Sequence, residues 1–165
     1  MSTEAEIQTF LAKYTPAVAA QLRGARAKLQ TQFPQGFELV YDNYNALVFC
    51  FGPTDRASDA ILSIAGYPKW ITLFFAKGKT MKDPAGILQG SGSIVRSIRL
   101  GSPEELDRPE VQSLVTQAIQ AHLTALGLAQ PLRTIIKSVS KKQRPRRPPS
   151  PFQEVADTLA KRTRK

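Results

Sequence analysis

The sequence predicts an α+β fold: an antiparallel sheet of about five strands, covered by two N-terminal helices and one long C-terminal helix, with a basic tail behind them. Three observations carry this. Apolar residues recur at helical spacing before residue 34 and after residue 107, and short runs rich in aromatic and β-branched residues fill the stretch between. Charge is concentrated at the end: from Lys137 onward ten Lys or Arg face two acids, a net of +8 out of +10 for the whole chain. The chain therefore divides into a nearly neutral body, 1–136, and a basic, proline-rich tail, 137–165. A body of about 136 residues is large enough to bury roughly two thirds of its unfolded surface in one core.

Ile7, Phe10, Leu11 and Tyr14 fall at i, i+3, i+4 and i+7 and place a first short helix. Thr15-Pro16 reads as the N-cap and first position of a second, since proline needs no donor there. Its apolar stripe is Val18, Leu22, Ala25, Leu29 and Phe33, with Arg23, Arg26 and Lys28 largely off it, and Pro34 with Gly36 ends it. Strands are expected near 37 to 41, 45 to 51, 60 to 66, 69 to 76 and 93 to 100, separated by turn signals such as Asp42-Asn43 and Tyr67-Pro68. Mostly short connections favour antiparallel pairing, and the second and fourth runs, apolar on both faces, belong in mid-sheet. Asp107 with Glu110 has the spacing of a capping box. The helix it would open carries Val111, Leu114, Val115, Ala118, His122 and Ala125 on one stripe and stops at Gly127. Pro131 to Ser140 fits either a late strand or an extended strap. Four prolines and five cations in Lys141 to Pro151 favour an extended, solvated linker, and Phe152, Val155, Ala156 and Leu159 mark a last helical turn or two.

Several chemistries lack their residues. One histidine and one cysteine exclude a His/Cys metal cluster, and there is no CxxC, HExxH or P-loop spacing. No cofactor or metal is expected, and catalysis ranks last because no acid and base pair at a usable spacing. His122, on an apolar stripe, reads as a core or boundary residue; Cys50, inside Leu47 to Phe51, reads as a small buried hydrophobe. A single cysteine, an acidic N-terminus unlike a signal peptide, and apolar runs a third of the roughly 20 residues that span a bilayer lead to the expectation of a cytoplasmic protein without a membrane role.

Binding is where the residues suggest something. Gly90-Ser91-Gly92-Ser93 ahead of a strand bearing Arg96 can expose backbone N–H groups and hydroxyls to an anion, or simply form a tight turn into that strand. Strand alternation puts Arg96 on the face of Ile94, Ile98 and Leu100, where it needs a carboxylate, from Asp42 or Glu38, or a ligand anion. Tyr41 and Asp42 enter a turn that is either ordinary turn chemistry or the rim of a pocket with Tyr67, Lys69 and Trp70. The candidate ligand-binding set is thus Tyr41, Asp42, Trp70, Ser91, Ser93 and Arg96. In the tail, Lys141, Lys142, Arg144, Arg146 and Arg147 are dense enough for salt-sensitive phosphate contacts, although the run has no interleaved aromatic and equally fits a solubilising extension.

The order of these features, two helices, Tyr41-Asp42 entering paired strands, the Trp70 to Phe75 strand, Gly90-Ser-Gly-Ser-Ile-Val-Arg-Ser-Ile-Arg-Leu, Leu106-Asp107 and a closing helix, resembles the YdhG-like bacterial domains of unknown function over roughly Ile7 to Leu126. The resemblance implies a small α+β domain, and one branch of that family brings in a frataxin-like iron chaperone. Iron would need clustered carboxylates, but here the acids are scattered except at 104 to 110, where helix capping accounts for them. The leading expectation is a non-enzymatic binding or adaptor domain for a small anion or a protein partner. The alternatives are a nucleic-acid-associated protein that uses its tail nonspecifically and, by resemblance alone, an iron chaperone.

Overall fold

The computed structural model describes residues 1–164. Two helices open the chain, α1 (Thr3–Leu11) and α2 (Pro16–Gln32). Each is capped as local chemistry dictates: Ser2 accepts from the Ala5 N–H at 3.1 Å, and Thr15 accepts from Val18 ahead of Pro16. Strands β1 (Phe37–Asp42), β2 (Leu47–Gly52), β3 (Leu62–Gly66), β4 (Ile71–Phe75) and β5 (Arg96–Leu100) follow, within a few residues of the runs read from the sequence. Next come α3 (Pro109–Gln120), α4 (Leu123–Gly127), β6 (Arg133–Val139) and α5 (Pro151–Thr163).

The fold is α+β, but the sheet has six strands and is mixed, in the order β5-β4-β3-β2-β1-β6. Its first five strands are antiparallel; the segment 131–140 forms β6 and pairs with β1 in parallel. Direction is set where the chain arrives. Gln130 accepts from the Gly36 N–H at 2.9 Å and Leu132 donates to Pro34 at 3.0 Å, so β6 starts beside the start of β1, after a crossover through α3 and α4 long enough for a parallel pair. β2 and β4 lie in mid-sheet as expected. β6 also carries the ordered body across the 136/137 boundary.

The single long C-terminal helix is two helices, broken at His122, whose backbone (φ −123°, ψ 17°) leaves the helical region. The capping box does not form either. Asp107 ends a short 3-10 turn and pairs with Lys28 at 2.7 Å; Arg108 precedes Pro109 at the helix start, without a side-chain cap, while Glu110 is held by Arg108. Proline at the first helical position removes one of the donors that a cap would have satisfied.

Strand register assigns two unlike faces. One, bearing Val40, Leu47, Phe49, Phe51, Leu62, Ile64, Ile71, Leu73, Phe75, Ile98 and Leu100, meets the stripes of α1, α2 and α3 and forms the core. The other, bearing Leu39, Tyr41, Val48, Cys50, Ser63, Ala65, Thr72, Phe74, Ser97 and Arg99, contributes nothing to that core cluster; among the described residues no helix places a buried side chain on it, although Leu39, Ala65 and Thr72 are themselves buried. Arg26, read from periodicity as off the stripe, is buried between the layers. It donates to Glu38 at 2.8 and 2.9 Å and to Glu4 at 2.8 and 3.0 Å, and lies over the Phe49 ring. Burial alone would disfavour its charge; the hydrogen bonds to Glu38 and Glu4 outweigh that and hold the guanidinium more firmly protonated than usual.

Candidate functional site

The tail is docked, and one residue docks it. From the end of β6 the chain runs across the strand ends: Ser140 donates to Asp42 O at 2.8 Å and Arg144 N–H to Tyr44 O at 2.8 Å. Arg146 then inserts its side chain, only 2% exposed, against the fully buried Asp42 carboxylate, with Nη2 3.0 Å from Oδ1 in an ion pair that is off hydrogen-bond alignment. Its Nη1 donates to the Tyr14 hydroxyl at 2.6 Å and its Nη2 to the Asn43 carbonyl. The Tyr14 hydroxyl in turn donates to Gly66 O at 2.6 Å and accepts from Leu47 N–H at 2.9 Å, so all its valences are used. Lys13 holds the other Asp42 oxygen at 2.5 Å. Two acids of β1, Glu38 and Asp42, therefore point into the helical layer, and each is neutralised there by arginine.

Docking brings the tail against Trp70. The turn between β3 and β4 places Tyr67 and Trp70 on the uncovered face, with ring centroids 5.9 Å apart. The Arg99 guanidinium, from the neighbouring β5, lies 3.9 Å from the indole centroid, a close cation–π stack. A cleft of about 810 Å³ opens between Trp70, Lys69 and the segment from Arg144 to Ser150, and is lined as well by Gln153 and Asp157 of α5. Its charged lining is Lys69, Arg144 and Arg147 against a single acid, Asp157. Trp70 also walls a smaller cavity of about 250 Å³, shared with Tyr67, Thr72, Gln89, Ser97 and Arg99. Chemically, the larger cleft offers positive charge beside an aromatic plane and proline rings.

The residues singled out from the sequence do not form one site. Trp70 lines the cleft. Tyr41 is half-buried on the uncovered face, while Asp42, the next residue, points the other way into its ion pairs. Ser91 and Ser93 are exposed in the loop before β5, outside both cavities at Trp70. Arg96 meets neither Asp42 nor Glu38, which lie on β1, with three strands between it and β5. It spends Nη1 on its own loop, donating to Gly92 O at 2.8 Å and Val95 O at 2.7 Å. Of the tail cations, Arg144 stands over the Tyr44 ring and Arg147 reaches the carbonyls of Ala12 and Lys13 just past α1, both exposed; Lys141 and Lys142 are exposed and Arg146 is buried, so the linker is only partly solvated. The terminal turns extend to a 13-residue helix, α5, with no buried residue and with Phe152, Val155 and Leu159 outward.

Arg99 and Tyr14 were missed. Arg99 had a signal, since alternation puts it opposite Ile98 and Leu100, facing away from the core; Tyr14 was absorbed into a helical stripe, which says nothing of its hydroxyl. His122 lies at the α3–α4 break beside Lys77 and Asp59; burial and the Lys77 ammonium push its pKa down, against Asp59. Burial raises the Cys50 thiol to about 11. Among the acids at 104 to 110, Glu105 accepts from Gly101 N–H, Asp107 pairs with Lys28 and Glu110 with Arg108. Among the described residues no group of three or more His, Cys, Asp or Glu is placed to hold a metal ion, and no helix is long and apolar enough to cross a membrane. No protein-family model, curated protein or solved structure matches this chain.

Proposed function

We propose that this protein is a non-enzymatic binding domain, an adaptor rather than a catalyst, that takes an anionic ligand in the cleft between Trp70 and the docked tail. One observation carries the reading: Arg146 is locked into the body, which fixes Arg144 and Arg147 on either side of it at the mouth of a cleft whose other wall is an indole and Lys69. Cations held by a buried anchor lose less freedom on binding than cations on a free tail. The same proposal keeps the chain with the YdhG-like domains and in the cytoplasm.

Trp70 is the only tryptophan, so its fluorescence reports on the cleft directly. Titration of the full chain with inorganic tripolyphosphate at low salt is expected to give a saturable change. That change should be lost in the double variant Arg144→Ala with Arg147→Ala. An unaltered spectrum across the titration would refute the proposal.

A further inference from the structure

The face of the sheet without helices is laid out in rows. Register aligns Arg99, Thr72, Ala65, Val48, Tyr41 and Ser138 across all six strands, and Ser97, Phe74, Ser63, Cys50, Leu39 and Ile135 in the next row. Small side chains (Ala65, Ser63, Thr72, Cys50) therefore occupy the middle of the face, Ala65 and Thr72 buried among their neighbours, as is Leu39, and Ser63 and Cys50 half-buried. Half-buried rings stand around them: Tyr41 toward β6, Phe74 toward β5, and the Tyr67–Trp70 pair at the β3–β4 end.

The charged strand residues directed to this face are all cationic. No strand residue directed to it is acidic, because Glu38 and Asp42 both turn into the helical layer. Arg99 lies on one edge strand and Arg133, exposed and aligned with Phe37, on the other. Lys137 sits at the bulge in β6, its Nζ donating to Asp55 O at 2.9 Å, and the tail cations Lys141 and Lys142 continue from the same edge. Cations at both rims, with rings and a shallow lane of small side chains between, match a chain that alternates anionic links with flat apolar groups.

We infer that the uncovered sheet face and the Trp70 cleft together form a platform for single-stranded nucleic acid, with phosphates on Arg99, Arg133 and the tail and bases against Tyr41, Phe74 and Trp70; this deepens, and rests on, the reading of the cleft as an anion site. Single strands present base faces for stacking on aromatic side chains, whereas a duplex hides them and leaves only phosphate contacts. An acidic peptide would engage the cations but leave the rings and the central lane without a role. Six strands at about 4.8 Å spacing put the two edges roughly 24 Å apart, a span suited to a short single-stranded segment.

The test uses the full chain and a labelled oligothymidylate of about 12 residues, followed by anisotropy and by Trp70 quenching, beside a duplex of equal length, polyglutamate and tripolyphosphate. The inference expects the single strand to bind at least about tenfold more tightly than any of the others, with affinity falling steeply as salt rises. Tyr41→Leu is expected to weaken the single strand about tenfold while leaving the tripolyphosphate response unchanged. Thermal melting checks its folding, and the exposed Arg133→Ala takes its place if it melts early. Equal binding of duplex, or of polyglutamate, overturns the platform. A tripolyphosphate response without tighter oligonucleotide binding overturns it too, but spares the cleft; silence from both ligands removes the cleft reading with it.

Discussion

Arg146→Ala is the substitution that most directly probes how the tail belongs to the body. The variant leaves the Asp42 carboxylate, which has no solvent exposure, without the guanidinium 3.0 Å away, and removes a donor from the Tyr14 hydroxyl. Breaking a buried ion pair by deleting one partner costs about 3–5 kcal/mol, because the surviving charge keeps its desolvation penalty. Here the loss is smaller. Lys13 remains on the second oxygen at 2.5 Å and is itself partly solvated, and Tyr14 keeps its bonds to Gly66 and Leu47, so about 2–3 kcal/mol is expected. For a chain of this size that corresponds to a fall in Tm of about 5–10 °C, read by circular dichroism or calorimetry. A chain ending at Ser140 should lose a similar amount, whereas Arg144→Ala, whose side chain is exposed over Tyr44, should stay within about 0.5 kcal/mol. A double-mutant cycle with Asp42→Asn should return a coupling energy of about 1 kcal/mol or more. If Arg146→Ala melts within about 1 °C of the parent protein, the tail is not anchored in solution and the cleft built on it does not persist.

Three further outcomes are expected. His122 has its pKa lowered from 6.5 in the fold, so the unfolded chain binds more protons near that pH; stability is therefore full above 6.5 and declines as pH falls below it. His122→Gln should flatten that part of the stability–pH curve, and an unchanged slope would place the titration elsewhere. Cys50, half-buried and with its thiol near 11, should react with iodoacetamide at pH 8 on the order of 100-fold more slowly than a free thiol until denaturant is added; equal rates would contradict the raised pKa. Gly36 adopts φ +105°, and an added Cβ would lie 2.3 Å from the Gly52 carbonyl oxygen, so Gly36→Ala should cost about 3 kcal/mol by urea unfolding. A shift of the urea midpoint within error would show that the β1 entrance relaxes freely.

Much of the architecture was legible because it is written locally. The stripe of α2 and its Thr15-Pro16 start depend on neighbours within a few residues, and so do the five antiparallel strands with their turn residues. What misled was local as well. Asp107 and Glu110 have the spacing of a capping box, yet Lys28, from another helix, takes Asp107 and a proline two residues further on starts α3. Arg96 follows the strand alternation that was read for it and still avoids both proposed carboxylates, because strand order puts β1 on the far side of β4, β3 and β2. Of the candidate ligand set, only Trp70 reaches the main cleft, since alternation sends Tyr41 and Asp42 to opposite faces and the serines stay in an exposed loop.

By itself the sequence indicated the class of fold, the approximate places of the first five strands, and the concentration of positive charge after residue 136, because periodicity and composition act over a dozen residues or fewer. Only the tertiary structure decided that 133–139 joins β1 in parallel and that one tail arginine is drawn into the interior. Both rest on partners far apart in the chain: Thr134 with Glu38 across 96 positions, Arg146 with Asn43 across 103 and with Tyr14 across 132. A buried carboxylate must find a counter-charge wherever the fold can bring one, and which of the tail's cations supplies it is determined by the path of the chain over the strand ends, not by any spacing within the run that contains it.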